Sequence, residues 1–250
     1  SVIRLVSCSS GHAGNWITTI PSDHASVLPS PSFRLAARFR LGLPPVDKLP
    51  TACACGFSLA GDPWHFLSCK YMRGGAVTLR HNHVVQIIAA WVRRISGAAM
   101  VEPNHIRFSV RQRPDLIMGV DNMLVDVVVT HPGAPSYHSV AQEPLGTAKR
   151  AEKRKLKHYA AFAKESGFTV NPFALESFGG FGPSAQAVVK RIVHFASQSH
   201  SIWPTGVVRS GLCNAISIAI QRGNAHTVIS GLQLALLRSH SSSRAIRRAG

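Results

Sequence analysis

The chain has 250 residues, 45% of them apolar, enough to bury a substantial core and too many for a disordered protein. With 28 Lys and Arg against 11 Asp and Glu, the net charge is +17, which points to a polyanionic partner, nucleic acid before an anionic membrane. No apolar run approaches the ~20 residues of a membrane span, and the N-terminus has no signal-peptide pattern, so an intracellular protein is expected. The first residue is Ser rather than Met, as expected of a fragment.

In chain order, residues 1–50 are rich in Ser and Pro and contain one predicted helix, 32–43, carrying Arg34, Arg38 and Arg40. The segment "CACGFSLAGDPWHFLSC" follows, supplying Cys53, Cys55, His65 and Cys69 with one, nine and three residues between them. Three thiols and an imidazole at short spacing are the donor set of a tetrahedral zinc site, and four protein ligands make such a site structural. An odd total of five cysteines fits metal binding in a reducing compartment better than a disulfide framework.

Residues 80–97 read as an amphipathic helix with Val84, Ile87, Ile88, Trp91, Val92 and Ile95 on one stripe, closed by Gly97. Alternating Ile106, Phe108 and Val110 predict a strand, and "PDLIMG" with "NMLVDVVVT" predicts a hairpin turning at Gly119–Asn122. A basic helix is expected over 143–166, ended by Gly167. Its "KRAEKRKLK" holds six Lys or Arg in nine residues, and "FTVNPFALESF" reads as a further strand. From 182 onward the pattern predicts three helices, broken near Pro204 and near Gly223–Asn224, with Leu212, Ile216 and Ile220 on one face and Ile229, Leu232 and Leu236 on another.

Four of the 11 acids lie between residues 102 and 126: Glu102, Asp115, Asp121 and Asp126. Two of these, Asp115 and Asp126, sit among Leu, Ile and Val, where a carboxylate is costly to bury unpaired. A turn centred on 120 and 121 pairs positions summing to 241, so Asp115 faces Asp126 with Cβ atoms about 5 Å apart. Two carboxylates so close repel or share a proton unless a cation intervenes, and Mg²⁺ (or Mn²⁺) suits oxygen ligands. On the basic helix Lys155 and Tyr159, four residues apart, share a face.

The ordered set Cys-x-Cys…His…Cys, "RH", "RPDL…VDVVV" and a basic helix with Lys-x-x-x-Tyr resembles the C-terminal part of site-specific non-LTR retrotransposon polyproteins, over roughly residues 15–182. There a zinc knuckle precedes an endonuclease of the restriction-enzyme-like PD-(D/E)xK fold. The resemblance extends to "GNWITTIP", "ARFRLGLP" and "NPFALESFGGFG". It implies an α/β (α+β) architecture: a linker with a basic helix at 1–50, a zinc knuckle at 51–75, a nuclease core at 76–182 in the order helix, three strands, helix, strand, and a helical extension at 183–250. It implies Asp115 and Asp126 as Mg²⁺ ligands and Lys155 as the phosphate-polarising or water-orienting lysine, with Glu102 and Tyr159 beside them and Lys149, Lys153 and Lys157 as rival lysines. Val128 stands where many nucleases of this fold have lysine.

The implied activity is metal-dependent nicking of target DNA to prime reverse transcription, in the nucleus. Arg80, His81, Arg111, Arg113, Lys149, Arg150, Lys153, Arg154 and Lys157 would contact backbone phosphates. DNA, the element RNA and the polymerase portion of the same polyprotein are the implied partners; no polymerase segment is visible in the chain. Two alternatives are a nucleic-acid-binding module of a decayed element that no longer cuts, and a structure-specific junction nuclease.

Overall fold

The computed structural model describes residues 1–23, 26–103, 113–199 and 201–249, with side chains to Ser239. Its centre is a mixed four-stranded sheet in the order β1 (Ala99–Val101), β2 (Leu116–Met118), β3 (Met123–Thr130), β4 (Thr169–Glu176). The first three strands are antiparallel neighbours. Strand β4 runs parallel to β3, and a parallel pair needs a crossover, here α5 (Gly146–Ser166). The expected strand over 106–110 lies outside the described residues.

Side-chain alternation along β3 divides the sheet's two faces. Met123, Val125 and Val127 enter the main core with Val84, Ile88 and Val92 of α4 (Ala76–Arg94) and Val188 and Ile192 of α6 (Pro183–Gln198). The alternate residue Val128 meets Ala148 and Ala151 of α5 and Ala174 of β4. Three alanines keep that contact thin, so α5 lies close over the face that carries Asp126.

The expected stripe on α4 is largely buried: Val84, Ile88, Val92 and Ile95 are each 0% exposed, with Ile87 and Trp91 packed partly against them. The left-handed residue after this helix is Ser96 (φ 65°), and Gly97 donates its N–H to Val92 O. Gly167 ends α5 with φ 71°, as expected. The basic helix predicted at 32–43 is α3 (Ser30–Leu41), preceded by α1 (Val2–Cys8) and the single turn α2 (Asn15–Thr18), neither of which was expected.

The C-terminal region departs from the expected three helices. After α6 a single helix, α7, runs unbroken from Thr205 to Ala249 through Gly223 and Asn224. Glycine is there for close approach rather than for a break. A Cβ on Gly223 would lie 2.3 Å from Arg80 Cγ, and one on Gly231 would lie 2.3 Å from Phe66 Cδ1. The cost of glycine in a helix, about 1 kcal/mol each, is offset by the packing it permits. Leu212, Ile216 and Ile220 are fully buried as expected, whereas Ile229 and Leu236 are exposed. Among the described residues no helix is long and apolar enough to cross a membrane.

Candidate metal centre and carboxylate site

The cysteine–histidine segment folds as a bridge between Ala52 and Ser58 followed by a 3₁₀ turn at His65–Leu67. These bring one ligand atom each from Cys53, Cys55, His65 and Cys69 within 4.8 Å of one another. Cys53 Sγ and Cys69 Sγ are 3.7 Å apart, and Cys55 Sγ is 3.1 Å from His65 Nε2. A sulfur separation near 3.7 Å excludes a disulfide, whose bond is about 2.05 Å, and matches the edge of a tetrahedron with ~2.3 Å zinc–sulfur bonds.

Burial and mutual proximity shape the titration of these four side chains. Burial, with the neighbouring sulfurs of Cys69 and Cys55, pushes the Cys53 thiol up to about 12. Burial also works against a charged Cys55, but hydrogen bonds led by the Phe57 N–H outweigh it and the net shift is downward. The His65 ring is lowered by burial, with Asp62 opposing, and stacks on Phe57 at 4.0 Å and 7°. Neutral imidazole and thiolates grouped around one point are what zinc requires, so the cluster fits a structural zinc site. Phe66 and Leu67 carry the module into a core shared with Phe39, Phe178 and Val228.

Asp115 and Asp126 stand on neighbouring stretches of the hairpin, each with its own side-chain partner. Leu116 pairs with Val125, and Asp115, the residue before β2, donates its N–H to Val125 O. Asp115 Oδ2 accepts from Val127 N at 2.7 Å, and its Oδ1 is 3.1 Å from His81 Nε2 on α4. Asp126 is 3% exposed, and its Oδ2 meets Lys155 Nζ of α5 at 2.8 Å. Burial raises the Asp126 carboxyl above its ordinary value and Asp115 raises it further, while Lys155 opposes both. Tyr159, 1% exposed, lies beside the pair; burial first and the Asp126 carboxylate next push its hydroxyl well above the usual phenol range.

Lys155 is thus an immediate counter-charge of the buried aspartate. Among the described residues the Cys₃His group is the only cluster of three or more metal-ligating side chains. Glu102 donates its N–H to Asp115 O with φ 47°, while its side chain is exposed in a small cleft with His81, Asn82 and Asp115. The two expected Mg²⁺ ligands are thus held by different partners, Asp115 by His81 and Asp126 by Lys155.

The basic residues divide. Arg113, Lys149, Arg150, Lys153, Arg154 and Lys157 are exposed, and Arg111 lies outside the described residues. Half-buried His81 is held at Asp115. Arg80 is a correction: at 3% exposure its guanidinium donates to Asn224 Oδ1 at 2.6 Å, and burial lowers its pKa to about 10. It is a packing residue and out of reach of a phosphate. Its helix position, one residue before His81, turns it under α7.

The sequence reading also missed a buried polar network at the end of β3 and β4. Thr147 Oγ1 donates to Glu176 Oε1 at 2.8 Å, and Thr130 Oγ1 lies 2.8 Å from Thr147 Oγ1. Burial raises the Glu176 carboxyl, opposed by the hydroxyls of Thr147 and Ser7 and by backbone N–H groups at the start of α5. Glu152 likewise accepts from Ser184 N and Ala185 N at the start of α6. Both acids serve helix N-termini, where a carboxylate is favoured. Glu at the first turn of its own helix is a readable signal; Glu donated by another element is not. No protein-family model and no curated protein matches the chain.

Proposed function

We propose that the chain is a metal-dependent DNA endonuclease with a restriction-enzyme-like PD-(D/E)xK core, nicking target DNA to prime reverse transcription as part of a non-LTR retrotransposon polyprotein. The observation that carries this reading is the ion pair between Lys155 of α5 and buried Asp126 of β3, with Asp115 near enough to raise the Asp126 carboxyl further. Element order supports it too, since helix, antiparallel strands, helix and a parallel strand follow one another as that fold requires. The resemblance supplies the partners: DNA in the nucleus, the element RNA and the polymerase portion.

In this reading Lys155 holds Asp126 charged and presents its remaining N–H donors to a non-bridging phosphate oxygen. Asp126, made more basic by burial and by Asp115, would be the group to take a proton from the attacking water. Asp115 is fixed by the Val127 N–H and by His81, which leaves little freedom to its carboxylate. A Mg²⁺ ion bound by Asp115 and Asp126 would supply charge neutralisation at the phosphate and acidify a water molecule. Replacing Asp126 with Ala is expected to abolish Mg²⁺-dependent nicking of a supercoiled plasmid; unchanged nicking refutes the catalytic assignment.

One observation favours the second reading, a zinc-knuckle nucleic-acid-binding module without catalysis. Both carboxylates already have a cationic or potentially cationic neighbour in Lys155 and His81, so their burial does not demand a metal. Plasmid binding with no strand break across a Mg²⁺ titration would select this module. A preference for branched over linear duplex would select the junction nuclease.

A further inference from the structure

The basic residues of α5 do not all look toward the carboxylates. At 100° per residue, Arg150, Lys153, Arg154 and Lys157 fall within an arc of about 100°, and Lys155 and Tyr159 lie about 150–170° from its centre. A helix with side chains is ~10–12 Å across, so the stripe and Asp126 are separated by roughly that thickness. The stripe lines a surface cleft of about 380 Å³ together with Ser136 and Tyr137, and none of the lining residues is acidic.

The cleft is partly preset. Arg150 Nη1 donates to Ser136 O at 3.2 Å and to Ser139 Oγ at 3.1 Å, and its guanidinium stands 6.0 Å from the centre of the Tyr137 ring. A guanidinium tethered at one nitrogen keeps donors for a second partner, and its rotamer freedom is already reduced. A solvated helix face would show neither the tether nor the concavity.

We infer that this cleft is a second phosphate-backbone site, distinct from the carboxylate centre, which holds the sugar–phosphate chain of a nucleic acid away from the phosphate that is cut. It rests on the nucleic-acid part of the proposed function but not on catalysis. Nucleic acid is favoured over an anionic membrane because the site is concave and its lining includes no exposed aliphatic side chain to insert among lipids. Duplex DNA and single-stranded RNA share the backbone chemistry, and the test separates them.

The experiment measures fluorescence anisotropy of a labelled 20-base-pair DNA duplex, and of a single-stranded RNA of matching sequence, against the full chain from 50 to 200 mM KCl. Two double variants are compared with wild type, Arg150→Gln/Arg154→Gln and Lys153→Gln/Lys157→Gln, so that a folding defect in one leaves the other informative. Each pair is expected to reduce the slope of log K against log salt by about 1–2 and to weaken binding at 50 mM salt by about tenfold. The nucleic acid showing the larger change is the occupant. Unchanged slope and affinity for both nucleic acids in both variants overturns the site, and so does a loss seen only in a parallel sedimentation assay with phosphatidylserine vesicles. Plasmid nicking by the wild-type chain in Mg²⁺ is the second readout: binding without nicking, with the stripe variants still losing salt dependence, removes the nuclease reading and leaves this site standing.

Discussion

Replacing Lys155 with Met probes the arrangement most directly. The substitution keeps most of the aliphatic stem and removes the ammonium 2.8 Å from Asp126 Oδ2, leaving a 3%-exposed carboxylate next to Asp115. Breaking a buried ion pair from one side costs about 3–5 kcal/mol while the remaining group stays charged. Asp126 can escape by binding a proton, and its carboxyl is already raised by burial and by Asp115. Without Lys155 it rises further. A carboxyl with a raised folded pKa binds more protons in the native than in the unfolded state. Stability therefore falls as pH climbs from the ordinary value of 3.8 through the folded pKa, then levels off.

In the variant that decline extends to higher pH, so its deficit against wild type is greatest at pH 8 and smallest near pH 5. Urea denaturation without Mg²⁺ should show a loss of about 3–5 kcal/mol at pH 8. At pH 5 the loss should be about 1–2 kcal/mol, left by altered packing. Adding Asp126→Asn should return the protein to within about 1 kcal/mol of wild type at pH 8, because no buried charge remains. Equal losses at both pH values, or no rescue by the second substitution, would refute Lys155 as the counter-charge.

Four further outcomes follow from the geometry. Spectrophotometric titration with a chromophoric chelator should release one zinc per chain, and Cys69→Ser should reduce the content to none retained on gel filtration; wild type free of zinc would remove the metal centre. Gly223→Ala should lose about 1–3 kcal/mol in urea denaturation because its Cβ would overlap Arg80 Cβ and Cγ, whereas Gly206→Ala, with open space around it, should change stability by less than about 1 kcal/mol. Asn224→Leu, which strands the Arg80 guanidinium, should cost more stability than Arg80→Met, which removes the charge; the reverse order would refute the buried pair. Arg80→Met should also leave the salt dependence of DNA binding unaltered, since the side chain never reaches solvent.

Local chemistry made the centres of the elements legible. The period-two pattern through 113–130 gave a register that the pairing of Leu116 with Val125 reproduces, and short cysteine spacing brought four zinc ligands together. What could not be read depends on partners distant in the chain. Arg80 looked like a phosphate contact because its burial is created by Asn224, 144 residues away. Gly223 and Asn224 looked like a break because turn signals and close-packing signals use the same residues. The direct pairing of Lys155 with Asp126 was not legible because nothing in the spacing of Lys155 fixes how closely α5 approaches; three alanines on the packed surfaces do.

Helix α7 is the one rod that touches almost every layer. Its first half runs over α4 and α6, and farther along Gly231 receives Phe66, while Arg238 reaches the Ala54 carbonyl and stands 5.1 Å from the Tyr71 ring. The distal grip therefore belongs to the cysteine module, and the proximal grip to the helices α4 and α6. Stripping zinc should fray the rod from its far end inward, and amide hydrogen exchange would record this as rapid labelling beyond residue 225 with slow labelling retained before it. The metal's reach would then be measured along a single helix, as a boundary between amides that exchange early and those that exchange late.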